Sequence, residues 1–233
     1  MKDYFVFEKV NSLDYLMFIA NKNQFEGGGK VVETIKIPGR TGTLSYEDGS
    51  FENIEISYKL YTKGDIRQNI NAFRNRLLST SGYCQLADSY EPDIFMRARY
   101  VDKFSVDVSD RKNAGLTVNF DCDPRRFLKE GIEARELQNG DILFNPTQFD
   151  ARPLIRVYGT GTLGVGEDTI TITQADEYTD IDCDLMDAYK GSVNCNSNIV
   201  LNSGKFPTLP SGESGISLDG VDKLIVYPRW FTL

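Results

Sequence analysis

Ile37-Pro38-Gly39-Arg40-Thr41-Gly42-Thr43-Leu44 opens, and Asp121-Cys122-Asp123-Pro124 closes, the stretch whose order of elements decides the reading of this chain. Between these ends lie an alternating strand, one amphipathic helix and a second alternating strand. In residues 53–61, Ile54, Ile56, Tyr58 and Leu60 fall on one face, while Glu55, Ser57 and Lys59 fall on the other. A period of two over that length predicts a half-buried strand.

The period then changes. Asp65 is a good N-cap, and Ile66, Ile70, Phe73 and Leu77 follow at offsets of four, seven and eleven, which puts them on one stripe of a helix over residues 66–78. Arg67, Arg74 and Arg76 lie off that stripe and suit a solvated or intersubunit face, with nucleic-acid contact the lesser alternative. The run Ser79-Thr80-Ser81-Gly82 supplies the stop. Strand signals resume in residues 94–101, and again at Leu116, Val118, Phe120 and Cys122, where Pro124 is expected to end the strand.

Upstream, apolar stretches at residues 4–7, 13–20 and 30–37 are separated in the last interval by Gly27-Gly28-Gly29. Three successive glycines suit a hairpin tip or a flexible excursion. No Gly-Lys-Ser/Thr follows them, so they do not form a phosphate loop. They and the surrounding strands are expected to form an extension that reaches a neighbouring subunit.

Downstream, residues 127–147, with Asn139-Gly140 and Asn145-Pro146, read as a connection between domains. The expected division is residues 1–139, a β-rich domain with one helix, and residues 140–233. The second part contains short strand signals at 154–158, 169–173, 178–185, 198–201, 215–218 and 223–227, punctuated by glycines. That spacing predicts a compact β-sandwich. The fold class is mainly β.

The 233 residues are enough for one large or two small domains with cores that need no disulfides. The net charge of −8 is unevenly placed: residues 1–130 carry 19 basic and 19 acidic side chains, and residues 131–233 carry 7 and 15. An acidic second domain argues against a basic nucleic-acid-binding face there. No apolar run approaches the roughly 20 residues that span a bilayer. The start, Met1-Lys2-Asp3-Tyr4-Phe5-Val6-Phe7-Glu8, is too short and too acidic for a signal peptide, so no membrane is expected and the chain should stay in a cytosol unless the cell lyses.

Chemistry finds little purchase. Histidine is absent, which closes Ser-His-Asp, Cys-His and His-ligated metal mechanisms. Cys84, Cys122, Cys183 and Cys195 contain no Cys-x-x-Cys pair and read as small core residues in a reducing compartment. The acidic run Asp176, Glu177, Asp180, Asp182, Asp184 and Asp187 fails as an EF-hand, because positions six and twelve from Asp180 are Leu185 and Gly191. It reads instead as a solvent-facing strand edge, with Asp180, Asp182 and Asp184 outward and Ile181, Cys183 and Leu185 inward; a looser calcium site is the weaker alternative. Trp230 near the C-terminus serves to anchor a final strand. No catalytic, cofactor-binding or metal residue is assigned, and no cofactor is expected. Two functional alternatives stay open: a carbohydrate-binding β-sandwich module contacting the bacterial cell surface, and a carboxylate-based glycoside hydrolase.

Taken in order, residues 37–44, the helix with Phe73 and Leu77, Tyr90-Glu91-Pro92-Asp93-Ile94-Phe95-Met96-Arg97-Ala98-Arg99-Tyr100 and Asp121-Cys122-Asp123-Pro124 resemble the distal tail protein (Dit) family of siphophages. The second half is similar to that family through Pro153-Leu154-Ile155-Arg156-Val157-Tyr158-Gly159, Ile181-Asp182-Cys183-Asp184, Gly204-Lys205-Phe206-Pro207-Thr208-Leu209 and Pro228-Arg229-Trp230.

The resemblance implies a non-enzymatic structural protein of the virion tail tip, assembled in the host cytoplasm. The N-terminal domain would build a homo-hexameric ring around the DNA channel, and a galectin-like β-sandwich would project outward. The ring would join the tail tube protein to a tail-associated lysin or to tail fibre or receptor-binding proteins of the baseplate, supporting host attachment. DNA would pass through without sequence-specific binding. The missing histidine argues against galactoside recognition of the usual galectin type.

Overall fold

The computed structural model describes residues 2–23, 27–101, 105–108 and 113–233. The chain is mainly β with one α-helix and falls into two compact units. One runs to Arg126 and includes Leu233; the other is Phe127–Thr232. The division coincides with the change in charge: residues 1–126 carry 18 basic and 18 acidic side chains, so all the net acidity lies beyond them.

The strands of the first unit are β1 (Phe5–Phe7), β2 (Val10–Asn11), β3 (Met17–Lys22), β4 (Lys30–Lys36), β5 (Thr43–Phe51), β6 (Ile54–Lys63), β7 (Cys84–Asp88), β8 (Ile94–Tyr100), β9 (Ser105–Val108) and β10 (Asn113–Leu128), with helix α1 (Ile66–Leu78) between β6 and β7. The main sheet has the order β2-β1-β7-β8-β10-β6-β3, and β9 also pairs with β10. Strand β6 is buried at Ile54, Ile56, Tyr58 and Leu60, as its alternation predicts.

Helix α1 has the predicted span. Asp65 caps it by accepting a hydrogen bond from the Gln68 N–H at 3.1 Å, and Ile70, Phe73 and Leu77 are buried on its inner stripe. That stripe closes an aromatic core in which Phe5 stacks on Tyr58, with centroids 4.9 Å apart, and meets Phe120 edge-on at 5.4 Å. Such pairings add to the burial of ring area and bind the helix to the sheet.

Two expectations fail in this unit. Pro124 does not end β10, which continues to Leu128. The ladder to β6 stops at the pair Cys122–Ile54, so the missing N–H of Pro124, two residues further on, removes no rung from it. Nor is Gly27-Gly28-Gly29 a hairpin tip. The hairpin is β4–β5, its tip is residues 37–42, and Gly39 and Gly42 take φ of 80° and 89° there. The three glycines lie at its base, where a Cβ on Gly28 would sit 2.6 Å from the Glu52 carbonyl oxygen and 2.7 Å from Pro124 Cβ. Glycine is required at 28 by close approach rather than by a turn.

The second unit contains β11 (Arg135–Leu137), β12 (Ile142–Asn145), β13 (Leu154–Tyr158), β14 (Gly161–Val165), β15 (Asp168–Ile172), β16 (Tyr178–Asp182), β17 (Asp187–Lys190), β18 (Val193–Asn194), β19 (Ile199–Leu201), β20 (Gly212–Asp219), β21 (Lys223–Tyr227) and β22 (Phe231–Thr232). Six strands in the order β11-β21-β13-β16-β17-β18 form one antiparallel sheet, and five in the order β12-β20-β14-β15-β19 form another. Ile155, Val157, Ile181 and Leu224 of the first share a core cluster with Leu163, Ile170, Ile172 and Ile216 of the second. This is the expected sandwich of two sheets over one core.

Residues 127–147 are not a bare connection: they supply β11 and β12, which pair with β21 and β20. The expected boundary after residue 139 therefore falls between two strands of the second unit. The predicted strand over residues 178–185 stops at Asp182. Its carboxylate Oδ1 accepts the N–H groups of Asp184 and Leu185, each at 3.1 Å, and turns the chain there. Trp230 is buried against that core immediately before β22, in keeping with an anchoring role.

Candidate functional site

The acidic run is organised differently from the expected solvent edge. Strand β16 is interior to its sheet, between β13 and β17, so both its edges are paired and it is no sheet edge. Asp180 is 5% and Asp182 3% exposed. Each is neutralised by an arginine: Arg156, directly opposite on β13, holds Asp180 through bonds of 2.7 and 2.8 Å, and Arg229 holds Asp182 through bonds of 2.7 and 2.8 Å. Bidentate arginine is the partner that makes buried carboxylates tolerable. Leu185, placed on the core face by its sequence position, is exposed because the strand has already ended.

Burial alone would raise the Asp182 carboxyl. The hydrogen bonds and charge of Arg229, with the two backbone N–H groups, outweigh it and hold the group below the usual carboxylate range. An acid held ionised by a buried bidentate arginine is poorly suited to donate a proton to a glycosidic oxygen, and its Oδ1 is taken up by three donors. Among the described residues, no three His, Cys, Asp or Glu side chains gather as a metal-ligand group.

The same sheet carries tyrosines, the residues a glycan platform would need, but the ring of Tyr178 is flanked by cations. The Arg156 guanidinium lies 4.3 Å from the Tyr178 ring centroid and the Lys190 ammonium 5.2 Å from it, while Tyr158 packs against Tyr178 at 5.7 Å. Stacking a sugar on Tyr178 would first have to displace these cations.

The cysteines are free thiols. Cys122, Cys183 and Cys195 are buried and Cys84 is half-buried at the edge of the first core, so all four pack as expected. Burial, reinforced by Asp121, pushes the Cys122 thiol up to about 12. A thiol so far from ionising is no nucleophile.

In the first unit the charged groups tie strands together. Lys22 of β3 meets Asp88 of β7 at 2.7 Å, the Tyr58 hydroxyl donates to the same carboxylate at 2.7 Å, and Arg126 holds Glu91 at 2.8 Å. On the main sheet, open troughs of about 390 and 320 Å3 follow β6 and β10, the larger lined by Tyr61, Asp107 and Gly115 among others and the smaller by Asn53, Asn119 and Asp121. The Arg67, Arg74 and Arg76 side chains of α1 are exposed and enter no ion pair among the described residues.

The surface that most plainly lacks a partner is the β4–β5 hairpin. Among the described residues it forms a two-stranded sheet that pairs with no other strand. Because Ile35 is opposite Leu44 and Glu33 opposite Tyr46, the apolar residues Ile35, Leu44 and Tyr46 share one face with Glu33, while Val32, Thr34, Lys36, Thr43, Ser45 and Glu47 share the other. Ile35 is 51%, Leu44 47% and Tyr46 61% exposed. Neither strand buries a single side chain, and Lys30–Glu47 at 3.0 Å is a solvent-exposed bridge worth little. The arm is thus amphipathic without a core beneath its apolar face. The β-rich character of residues 30–37 was readable, but the lack of a further partner strand could not be read locally.

No family model and no curated protein matches the chain. Among solved structures, the chain is similar to the crystal structure of SPP1 Dit (gp 19.1), described as a paradigm of the hub adsorption apparatus in phages infecting Gram-positive bacteria. The similarity covers 100% of each chain with a TM-score of 0.75, at 15% sequence identity. At that identity the likeness establishes a shared fold along the whole length of both chains.

Proposed function

We propose that this chain is a structural subunit of a phage tail hub, a non-enzymatic virion protein of the tail tip. The observation that carries the reading is the likeness in fold to a hub protein, which covers 100% of each chain and so takes in both units. The unpaired amphipathic arm supports it, since a subunit of a closed assembly must carry a surface that only a neighbour completes.

In the finer form of this reading, the first unit builds a homo-hexameric ring, and the arm from β4–β5 lies on the adjacent subunit. The acidic sandwich projects outward with the galectin-like shape of such hubs. The tail tube protein sits on one side of the ring, and a tail-associated lysin or a fibre or receptor-binding protein on the other. DNA passes through without sequence reading, which accords with a first unit that is neutral overall.

Size-exclusion chromatography with light scattering on the purified chain tests the reading. A discrete hexamer, lost when residues 31–50 are replaced by a short Gly-Ser linker, is the expected result. A monomer at all concentrations that also fails to bind a tail tube protein would exclude it. A glycan array and a cell-wall lysis assay address the carbohydrate-binding and hydrolase alternatives, and both are expected to be negative.

A further inference from the structure

We infer that Asp48-Gly49 is a site of spontaneous backbone modification in the folded chain, passing through a succinimide to isoaspartate, while Asn139-Gly140 is held inert by the fold. By residue type alone the asparagine pair is the more reactive of the two. In both, the glycine backbone nitrogen attacks the side-chain Cγ of the residue before it and gives up its proton. Water leaves from a protonated aspartyl carboxyl, or ammonia from an asparaginyl amide. Water then adds to one of the two imide carbonyls. Addition at the main-chain carbonyl breaks its bond to nitrogen and leaves the chain running through Cγ as isoaspartate; addition at Cγ gives ordinary aspartate. Glycine favours the closure because no Cβ crowds the attacking nitrogen.

The β4–β5 ladder steps from the pair Val32–Glu47 to the pair Lys30–Phe51, so Asp48, Gly49 and Ser50 form a bulge with no registered partner on β4. All three are exposed. Asp48 Oδ1 accepts the Ser50 N–H at 2.8 Å and the Ser50 hydroxyl at 2.6 Å. A bond from a side chain to the N–H two residues on folds Cγ back over the intervening peptide, which here contains the nitrogen that must attack. Among the described residues, a Cβ on Gly49 would meet nothing within 4 Å, so the peptide has room to turn. The hydroxyl and N–H of Ser50 also hold the Asp48 carboxyl below the usual carboxylate range. The protonated form that expels water therefore grows scarcer as the pH rises above that range.

Asn139 is equally exposed, yet both of its reacting groups are engaged. Its Oδ1 accepts the Leu218 N–H at 2.9 Å, and the Gly140 N–H donates to the Ile216 carbonyl at 2.9 Å. Both partners belong to β20, which lies inside its sheet between β12 and β14. Ring closure would break these bonds and swing Asn139 away from the sheet, so it must wait for local opening. At Asp48 no ladder pair has to open first. Isoaspartate there adds one methylene to the main chain of β5 where the register already shifts, so the pairs on either side are kept.

Ageing the purified chain at physiological temperature tests this. Tryptic peptides are read by electron-transfer fragmentation, which separates isoaspartate from aspartate at equal mass, and an isoaspartate methyltransferase supplies an independent label. Isoaspartate should form at residue 48 within about tenfold of its rate in the guanidinium-unfolded chain, whereas folding should slow the conversion of Asn139 by more than about tenfold. Formation at residue 48 should be faster at about pH 5 than at about pH 8, the opposite of the base-promoted loss of ammonia from asparagine. Asp48→Glu, whose longer side chain closes the ring poorly, should remove the product, with the fold checked by circular dichroism. Folding that slows residue 48 by more than about tenfold, or that slows Asn139 by less, overturns the proposal.

Discussion

Arg229 and Asp182 meet through two parallel hydrogen bonds, Nη1 to Oδ1 at 2.7 Å and Nη2 to Oδ2 at 2.8 Å, and that single pair joins the residue before Trp230 to the end of an interior strand. Arg229 takes a φ of 59°, a left-handed conformation that a non-glycine residue adopts only when its surroundings hold it there. Its N–H also donates to the Gly131 carbonyl. The pair therefore fixes the C-terminal turn of the sandwich as well as neutralising a buried acid.

Removing the guanidinium should be costly. Arg229→Met leaves Asp182 buried and charged, and a loss of about 3–5 kcal/mol is expected in the unfolding transition of the second unit. Urea denaturation followed by near-UV circular dichroism would measure it, and Asp182→Asn/Arg229→Met should recover part of the loss.

The same pair sets an acid limit. Because the folded carboxyl of Asp182 lies below the unfolded value of about 3.9, its contribution is complete above that pH and is lost as the pH falls through the folded value. Melting temperatures should therefore show no dependence on this group between pH 5 and 7 and should fall below about pH 4. In Asp182→Asn the acid slope should be shallower, although the variant is less stable at neutral pH.

In the first unit, Tyr58→Phe should cost about 1.5–3 kcal/mol, the range for a hydrogen bond to a charged partner, because it strips one donor from Asp88. Lys22→Met should cost more, since it leaves Asp88, 5% exposed in its side chain, without its cation. A double-mutant cycle between the two, read by chemical denaturation, should show non-additivity because both act on the same oxygen.

Thiol labelling should follow burial. At pH 8 the folded chain should react with iodoacetamide at no more than one site promptly, and peptide mapping should place it at Cys84. All four should react after denaturation. Rapid native labelling at Cys122 or Cys183, whose thiols burial pushes far up, would contradict the packing described.

Helix α1 offers a test of what local sequence contributes. Asp65→Ala removes a cap and should cost about 1 kcal/mol, whereas Phe73→Ala removes a ring from the aromatic core and should cost about 3–5 kcal/mol. The ratio of the two, measured by denaturant melts, expresses how far tertiary packing outweighs local propensity.

Strand β6 and helix α1 were legible because each has a strong period and one buried face: the residues at Ile54, Ile56, Tyr58 and Leu60, and at Ile70, Phe73 and Leu77, report their own burial. Strand β14, Gly161–Val165, was not, since its glycines read as punctuation. Gly164 pairs with Ser217, whose hydroxyl occupies the space above the glycine, a relation to a residue 53 positions away. Strands β11 and β12 were hidden for a similar reason: they are short, and what makes them strands is pairing with β21 and β20 late in the chain.

What the sequence by itself determined about this protein is its β-rich class, its single capped helix, the absence of histidine chemistry and the confinement of net acidity to the second part. Each follows from composition or from a period carried within a few residues. Tertiary structure alone decided that Asp180 and Asp182 are buried and paired, that β10 runs through Pro124, and that β4 and β5 form an arm with no core beneath it. These depend on which strand is interior and which has no neighbour. Strand order is set by the summed burial of the whole sheet, and no local stretch of residues contains that sum.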